Sequence, residues 1–199
     1  AVSDTVADLT REIDREMSQV NRSKFTPLRE AARTGLAEYL GADADEIAIT
    51  RNTSESNNTV LNGLTLGRGD EVVIWDQNHP TNNVAWDVRA ARYGFTVIKV
   101  KTPAAPTSTS ALAAPFLAAL TPRTKILAVT HVSSSSGVGL PVKDLCTAAR
   151  QRGILTLVDG AQTFGCHAVN LHDMGCDFYT GSAHKWFMGP RETGVLYVR

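Results

Sequence analysis

Short apolar runs recur along most of this 199-residue chain, and they limit what it can fold into. Most of these runs have apolar residues at adjacent positions, which is typical of strands covered on both faces of a sheet. The candidate strands are residues 47–49, 72–75, 96–100, 126–130, 154–158, 177–180 and 195–198.

Helical stretches separate the early candidate strands, at residues 55–65, 81–93, 111–120 and 142–152. A strand–helix–strand rhythm predicts a parallel sheet with helices on both faces. The segment between residues 180 and 195 is too short for a helical crossover, so the last strand is expected to be antiparallel. We therefore predict an α/β three-layer sandwich with a mostly parallel sheet of about seven strands.

The opening segment has a helical pattern of its own. Leu28, Ala32, Leu36 and Leu40 recur at four-residue spacing, and Gly41 supplies a stop. We predict a helical N-terminal segment over residues 1–40, followed by one large domain over residues 41–199.

Charge and cysteine content exclude several kinds of partner and environment. The chain has 20 basic and 20 acidic residues without a block of either sign, which argues against nucleic acid or an anionic membrane surface. No run approaches the roughly 18 apolar residues of a membrane span. Cys146, Cys166 and Cys176 lack Cys-x-x-Cys spacing and predict free thiols in the cytoplasm, although a start at Ala1 leaves a removed leader open.

Polar residues collect just past the candidate strands, at residues 51–55, 76–79, 131–134, 159–162 and 181–185. Ligands of open α/β sheets bind at this edge. Asp159 there is either a turn former or a buried carboxylate that pairs with a cation such as a protonated pyridine. Lys185 is either a surface charge or an amine in partly apolar surroundings, suited to act as nucleophile and base.

The remaining candidates also have a structural and a functional interpretation. Thr53 and Ser54 lie where a helix begins, so they either cap the helix or help to form a phosphate site, to which Ser182 and His184 add donors. His79 is either a loop histidine or a ring that stacks on a planar cofactor. Gln162, together with Ser134, is placed to reach ring substituents, whereas His131 is interpreted as structural. A phosphate pocket, an acid for a pyridinium and a buried amine together describe a site for pyridoxal 5′-phosphate (PLP).

The sequence resembles the class V aminotransferase family of fold-type I PLP enzymes, and within it cysteine desulfurases, selenocysteine lyases and isopenicillin N epimerase-like proteins. The resemblance covers nearly the whole chain. It rests on Thr50-Arg51-Asn52-Thr53-Ser54-Glu55, Asn78-His79, Thr130-His131-Val132-Ser133-Ser134, Asp159-Gly160-Ala161-Gln162 and Ser182-Ala183-His184-Lys185-Trp186.

The resemblance implies a role for each candidate residue and makes residues 41–199 the PLP-binding large domain. Lys185 would hold PLP as a Schiff base, and Lys185 and His79 would be the catalytic residues. Cofactor binding would involve all eight candidates, with Asp159 on the pyridine nitrogen, His79 on the ring face, Gln162 on the ring hydroxyl, and Thr53, Ser54, Ser182 and His184 on the phosphate. No metal is implied.

Members of this family are considerably longer than this chain. By this resemblance, the C-terminal small domain is expected to be missing from this chain, together with the arginine that holds the substrate carboxylate and the loop that bears the desulfurase cysteine. The chain is therefore expected to be a fragment, or one chain of a two-chain enzyme with a complementary C-terminal chain. The resemblance also implies an amino-acid substrate and a homodimer.

The function predicted from these residues is PLP-dependent chemistry at Cα or Cβ of an amino acid, with carbon–sulfur lyase or cysteine desulfurase-like activity favoured by resemblance. The alternatives within the family are an amino-acid epimerase and an aminotransferase. A non-catalytic PLP-fold fragment is the alternative outside enzymology. A metal hydrolase that uses His79, His131, Asp159 and His184 is disfavoured, because no pair of ligands has the spacing that places both on one element.

Overall fold

The structure, a computed structural model, describes all residues from Ala1 to Arg199. Eight helices, a short 3₁₀ turn at Ala44–Glu46 and seven strands make up the chain. In order they are α1 (Val2–Arg15), α2 (Gln19–Ser23), α3 (Phe25–Leu40), β1 (Ile47–Thr50), α4 (Thr53–Gly63), β2 (Glu71–Trp75), α5 (Pro80–Tyr93), β3 (Thr96–Val100), α6 (Thr109–Ala119), β4 (Thr124–Thr130), α7 (Val142–Arg150), β5 (Leu155–Asp159), α8 (Leu171–Met174), β6 (Phe178–Ser182) and β7 (Gly194–Val198).

All seven strands form one sheet in the order β1-β7-β6-β5-β4-β2-β3. β7 is antiparallel to both of its neighbours, β1 and β6, and every other neighbouring pair is parallel. Six strands therefore point the same way, and their carboxyl ends meet at one edge. The predicted mostly parallel sheet and the antiparallel last strand are both confirmed.

Alternating side chains divide the sheet into two apolar faces. Val73 and Trp75 of β2 belong to a core that also contains residues of α3, α6, α7 and α8. Val72 and Ile74 belong to a second core with residues of α4 and α5. Successive strand residues point to opposite faces, so an apolar run supplies both cores at once. The three-layer architecture predicted from those runs is confirmed.

The opening segment consists of three helices. The chain leaves helical geometry after Arg15, and Ser18 caps α2 by accepting the Asn21 N–H. Gly41 ends α3 in the left-handed conformation, with φ of 62°, as expected for a glycine stop. Leu40 is fully buried in the larger core, whereas Leu28, at the other end of the predicted stripe, is 55% exposed. The division at residue 40 stays a prediction.

Membrane insertion through a helix is not supported, since none of the helices has both the length and the apolar character to cross a bilayer.

Gly194 couples the sheet to the start of α4. It opens β7 and pairs with Ser182 of β6 and Thr50 of β1. A Cβ at this position would lie 2.7 Å from the Gly181 carbonyl oxygen and 2.8 Å from the Asn52 Cα. Both contacts are to backbone, which cannot rotate away.

We expect Gly194→Ala to lower the free energy of unfolding by about 1–3 kcal/mol, because the added methyl group overpacks two backbone segments. Gly67→Ala is the matched control, since nothing lies within 4 Å of a Cβ there. Urea unfolding followed by circular dichroism measures both. Equal stability of the two variants would contradict the steric assignment.

Candidate functional site

A cavity of about 560 Å³ opens at the carboxyl-end edge of the sheet. Asp159 ends β5, Ser182 ends β6, and His79 and Thr53 lie where α5 and α4 begin after β2 and β1. The structure places all eight residues predicted for the site in the lining of this cavity: Thr53, Ser54, His79, Asp159, Gln162, Ser182, His184 and Lys185. Ser134 lines it too.

Asp159 presents a carboxylate that is 2% exposed. Its Oδ1 accepts the Ala161 backbone N–H at 3.0 Å, and its Oδ2 accepts an amide hydrogen from Asn57 at 2.9 Å. Burial raises the pKa of Asp159, and the two donors and the charge of Lys185 oppose that rise without cancelling it. A carboxylate in this position gains most from a cation placed directly against it.

Lys185 lies in the loop after β6, half-buried, and lines the same cavity. Its ammonium group forms no salt bridge within the chain. Next to it, Trp186 donates its indole N–H to Gln162 Oε1 at 2.9 Å, which joins the lysine loop to the loop after β5. The Lys185 amine is therefore free to react within a cavity that it shares with Asp159.

The N-terminus of α4 forms the second polar end of the cavity. Asn52 caps the helix by accepting the Glu55 N–H at 2.9 Å, while the Ser54 N–H has no partner within the chain. Thr53 donates its N–H to Ser182 Oγ at 2.9 Å, and the two hydroxyls are 2.8 Å apart. Free N–H groups at the positive end of an 11-residue helix favour an anion.

His79 caps α5 with its ring. The Thr81 N–H reaches Nδ1 at 3.3 Å, and the Thr81 hydroxyl lies 2.8 Å from the same atom. A ring nitrogen that accepts a backbone N–H carries no proton, so this geometry assigns the ring proton to Nε2. Pro80 follows at the first helical position, which fixes the direction in which α5 leaves the site.

Several cavity residues were missed from the sequence: Asn52, Asn57, Thr81, Thr130, Ala161, Arg191 and Glu192. Asn57 is the most informative of them because it contacts Asp159 directly. It follows Thr53 by four residues on α4, and residues at this spacing share one face of a helix. That spacing was the available signal.

Other candidate groups lie outside this cavity. His131 is largely buried away from it, and burial, with the charge of His167, lowers the His131 pKa to about 4. None of the three cysteines lines the cavity, and burial raises the pKa of the Cys146 thiol to about 12. Metal-ligating atoms of Asp43, Glu46 and His172 approach within 4.8 Å of one another. None of these three residues belongs to the set considered above for a metal hydrolase, which was His79, His131, Asp159 and His184.

The donor set fits PLP. The fully buried Asp159 carboxylate has no ionic partner at hydrogen-bond distance, so a protonated ring nitrogen would supply one. Two of the residues that line the cavity, His184 and Thr130, each have a buried polar atom, Nδ1 and Oγ1 respectively, without a hydrogen-bond partner in the chain. An unpartnered buried polar atom is costly unless a ligand satisfies it.

The sequence pattern of the aminotransferase class-V family matches residues 2–199. The chain belongs to this family. The family prediction made from residues 50–55, 159–162 and 182–186 is thus confirmed.

Class-V relatives cover most of the chain at moderate identity. Isopenicillin N epimerase of Streptomyces clavuligerus is 35% identical over 167 residues, which are 84% of this chain and 42% of that protein. A cysteine desulfurase of Klebsiella pneumoniae is 39% identical over 182 residues, which are 89% of this chain and 44% of that protein. The chain therefore spans less than half the length of these two relatives.

Solved class-V structures share the fold. The cystine C–S lyase C-DES, in complex with its product cysteine persulfide, matches with a TM-score of 0.93 and 27% identity over 100% of this chain and 53% of its own. A second C-DES structure carries glycine covalently linked to its PLP cofactor. The predicted fold-type I architecture is confirmed, as is PLP as the cofactor used by the family.

We expect Asp159→Asn to raise the free energy of unfolding of the cofactor-free protein by about 1–3 kcal/mol at neutral pH, because it removes a buried charge. The Asn57 amide can turn over to match the new side chain, since the Thr180 hydroxyl can donate to it or accept from it. Asp14→Asn is the control: Asp14 is exposed, and its substitution should change stability by less than about 0.5 kcal/mol.

The advantage of Asp159→Asn should depend on pH. The Asp159 pKa is raised in the folded protein above its usual 3.8, so the folded state takes up the proton first and the wild-type protein gains stability as the pH falls through that raised pKa. The difference between the two proteins should therefore shrink with acidification. Urea unfolding at several pH values measures it, and an unchanging difference would count against a buried, charged Asp159.

Proposed function

We propose that this chain is the PLP-binding large domain of a class-V enzyme that acts at Cα or Cβ of an amino acid, with carbon–sulfur bond cleavage as the favoured outcome. The observation that carries the proposal is the shared cavity. The Lys185 amine, the buried Asp159 carboxylate and the open N-terminus of α4 all line it. These are the three groups that a phosphorylated pyridine aldehyde requires.

The residues have separate tasks in this proposal. Lys185 would hold PLP covalently through its Nζ, and Asp159 would pair with the ring nitrogen. Thr53, Ser54, Ser182 and His184 would bind the phosphate, with the free Ser54 N–H among the donors. His79 and Gln162 would contact the ring and its hydroxyl. PLP, when bound, supplies an electron sink for the bond that breaks at Cα.

Proton transfer is the task that falls to the chain itself. The Lys185 amine would be the base that accepts a proton from Cα of the substrate. The proton assigned to Nε2 of His79 is not used by Thr81, which contacts Nδ1, and is therefore available for hydrogen bonding. Asp159 would pair with a protonated ring nitrogen as a carboxylate and would take no part in proton transfer.

Arg191 favours an anionic amino-acid substrate. It is the one arginine in the cavity lining and forms no salt bridge within the chain. A guanidinium group binds a carboxylate through two parallel hydrogen bonds, so Arg191 is the group in this chain best suited to the substrate carboxylate. Glu192, beside it, lines the same rim and would repel a second carboxylate.

Carbon–sulfur cleavage is favoured by the extent of the match to the cystine C–S lyase C-DES, which covers the whole chain. Epimerisation is the second candidate, favoured by the 35% identity to isopenicillin N epimerase. Both reactions begin with loss of the Cα proton; cleavage then breaks a bond at Cβ, whereas epimerisation returns a proton to the opposite face of Cα. The homodimer, the complementary C-terminal chain and the cytoplasmic location stay predictions.

We expect the protein to take up PLP and to retain it after borohydride reduction, with the label on the peptide that contains Lys185. Lys185→Ala should lose the reducible label because no amine remains at that position. Lys143→Ala, which changes an exposed lysine paired with Asp173, should label normally. Peptide mass mapping measures all three proteins. A label on another lysine, or none on the wild-type protein, would refute the covalent role.

Substrate chemistry is tested on the full-length protein in deuterated water. Loss of the Cα proton predicts exchange of deuterium into cysteine, cystine or another amino acid, and Lys185→Ala should slow that exchange by at least about 10²-fold. Release of sulfide or persulfide with pyruvate identifies carbon–sulfur cleavage, whereas formation of the D-isomer identifies the epimerase. PLP uptake without any exchange would favour the non-catalytic alternative.

A further inference from the structure

We propose that Asn57 is a positioning residue: its side-chain amide, held by the Thr180 hydroxyl, keeps the Asp159 carboxylate ionised and directed into the cavity. The inference rests on the proposed function, in which Asp159 pairs with the cofactor ring nitrogen. It adds two residues to that site that do not themselves need to touch the cofactor. Both act through the charge on Asp159.

The geometry forms a chain of donors that ends at the carboxylate. The Thr180 hydroxyl donates to Asn57 Oδ1 at 2.9 Å, and Asn57 Nδ2 donates to Asp159 Oδ2 at 2.9 Å. Thr180 is fully buried and Asn57 is 4% exposed, so no water competes for these bonds. Three elements, α4, β5 and β6, each contribute one member.

The direction of these hydrogen bonds favours the charged form of Asp159. An ionised carboxylate only accepts hydrogen bonds, so the Asn57 amide must turn its NH₂ group toward Asp159. The amide oxygen then faces Thr180 and accepts a hydrogen bond from its hydroxyl. Each bond polarises the next in the same sense. With Asp159 protonated, the same amide hydrogen would be donated to a neutral carboxyl oxygen, which is a weaker hydrogen bond than one to a carboxylate. The Ala161 N–H on Oδ1 leaves both oxygens with a free lone pair for a ligand.

The other groups around Asp159 cannot replace Asn57. Lys185 acts on the carboxylate only through its charge, and neither Lys185 nor His79 hydrogen-bonds to it. Tyr179 of β6 is fully buried and gives its hydroxyl contact to Thr163. Burial still raises the pKa of Asp159 despite all of these contributions. The loss of one donor should therefore raise that pKa further, because it removes a group that stabilises the charged form.

The test measures Asp159 directly in the cofactor-free, full-length protein. Carboxyl carbons of aspartate are labelled with ¹³C, and the Asp159 signal is assigned by its absence in Asp159→Asn. Asn57→Leu removes the inner donor at similar size, and Thr180→Val removes the outer hydroxyl at nearly equal shape. Thr180→Ser keeps the hydroxyl and is the matched control. Urea unfolding of each variant separates a change in titration from a loss of structure.

We expect the titration midpoint of Asp159 to rise by about one pH unit or more in Asn57→Leu, because one hydrogen bond to a charged group stabilises the charged form by about that amount. Thr180→Val should shift it in the same direction by less, and Thr180→Ser should titrate like the wild-type protein. As the pH is lowered, PLP affinity should fall at a higher pH in Asn57→Leu than in the wild-type protein, because Asp159 loses its charge at a higher pH in that variant.

Unchanged midpoints in folded Asn57→Leu and Thr180→Val would overturn the inference, and Thr180→Val alone decides it if Asn57→Leu does not fold. The NMR titration needs no cofactor, so it is independent of the proposed function. If the midpoints rise while PLP affinity stays constant even in Asp159→Asn, the positioning role stands and the assigned pairing of Asp159 with the ring nitrogen fails.

Discussion

The rest of the site depends on how the charge of the buried Asp159 carboxylate is compensated. A charge at the end of a buried strand is unfavourable unless donors and a cation meet it. The chain supplies two neutral donors, from Asn57 and Ala161, and leaves the cationic partner to a ligand. An ion pair between Asp159 and a basic side chain would have compensated the charge within the protein itself. The charge therefore remains incompletely compensated in the folded chain, which is why we propose that a ring cation pairs with it.

Sheet topology brings distant residues to that carboxylate. Thr53 and Ser182 are 129 positions apart in sequence, yet their hydroxyls are 2.8 Å apart because β1 and β6 flank the same strand, β7. Asp159 on β5 and Thr180 on β6 are directly paired in the sheet. The two residues are therefore neighbours, and one side chain, that of Asn57, can contact both. The sheet therefore fixes Ser182 and Asp159, at the ends of β6 and β5, relative to Thr53 at the start of α4.

Much of this arrangement could be predicted from the sequence because it depends on periodicity and strand ends. Residues such as Asp159 and Lys185 come directly after apolar runs, and strand ends in a parallel sheet converge. Asn57 was missed because a polar residue inside a helix usually faces water, and only the fold shows that this face of α4 meets β5 and β6. The break between α1 and α2 was also missed: it has no glycine or proline signal and depends on Asn21 reaching back to carbonyl oxygens of Glu12 and Glu16.

The place of β7 has a consequence for how the molecule is made. β1 has no sheet neighbour other than β7, so β1 cannot pair within the sheet until the chain has been synthesised as far as β7. Until then, the first turn of α4 has no fixed partner on β6. Such long-range closure is slow and leaves strand edges open to wrong neighbours. Capture of the cofactor should therefore be among the latest events in the maturation of a nascent chain, after both ends of the sheet have met.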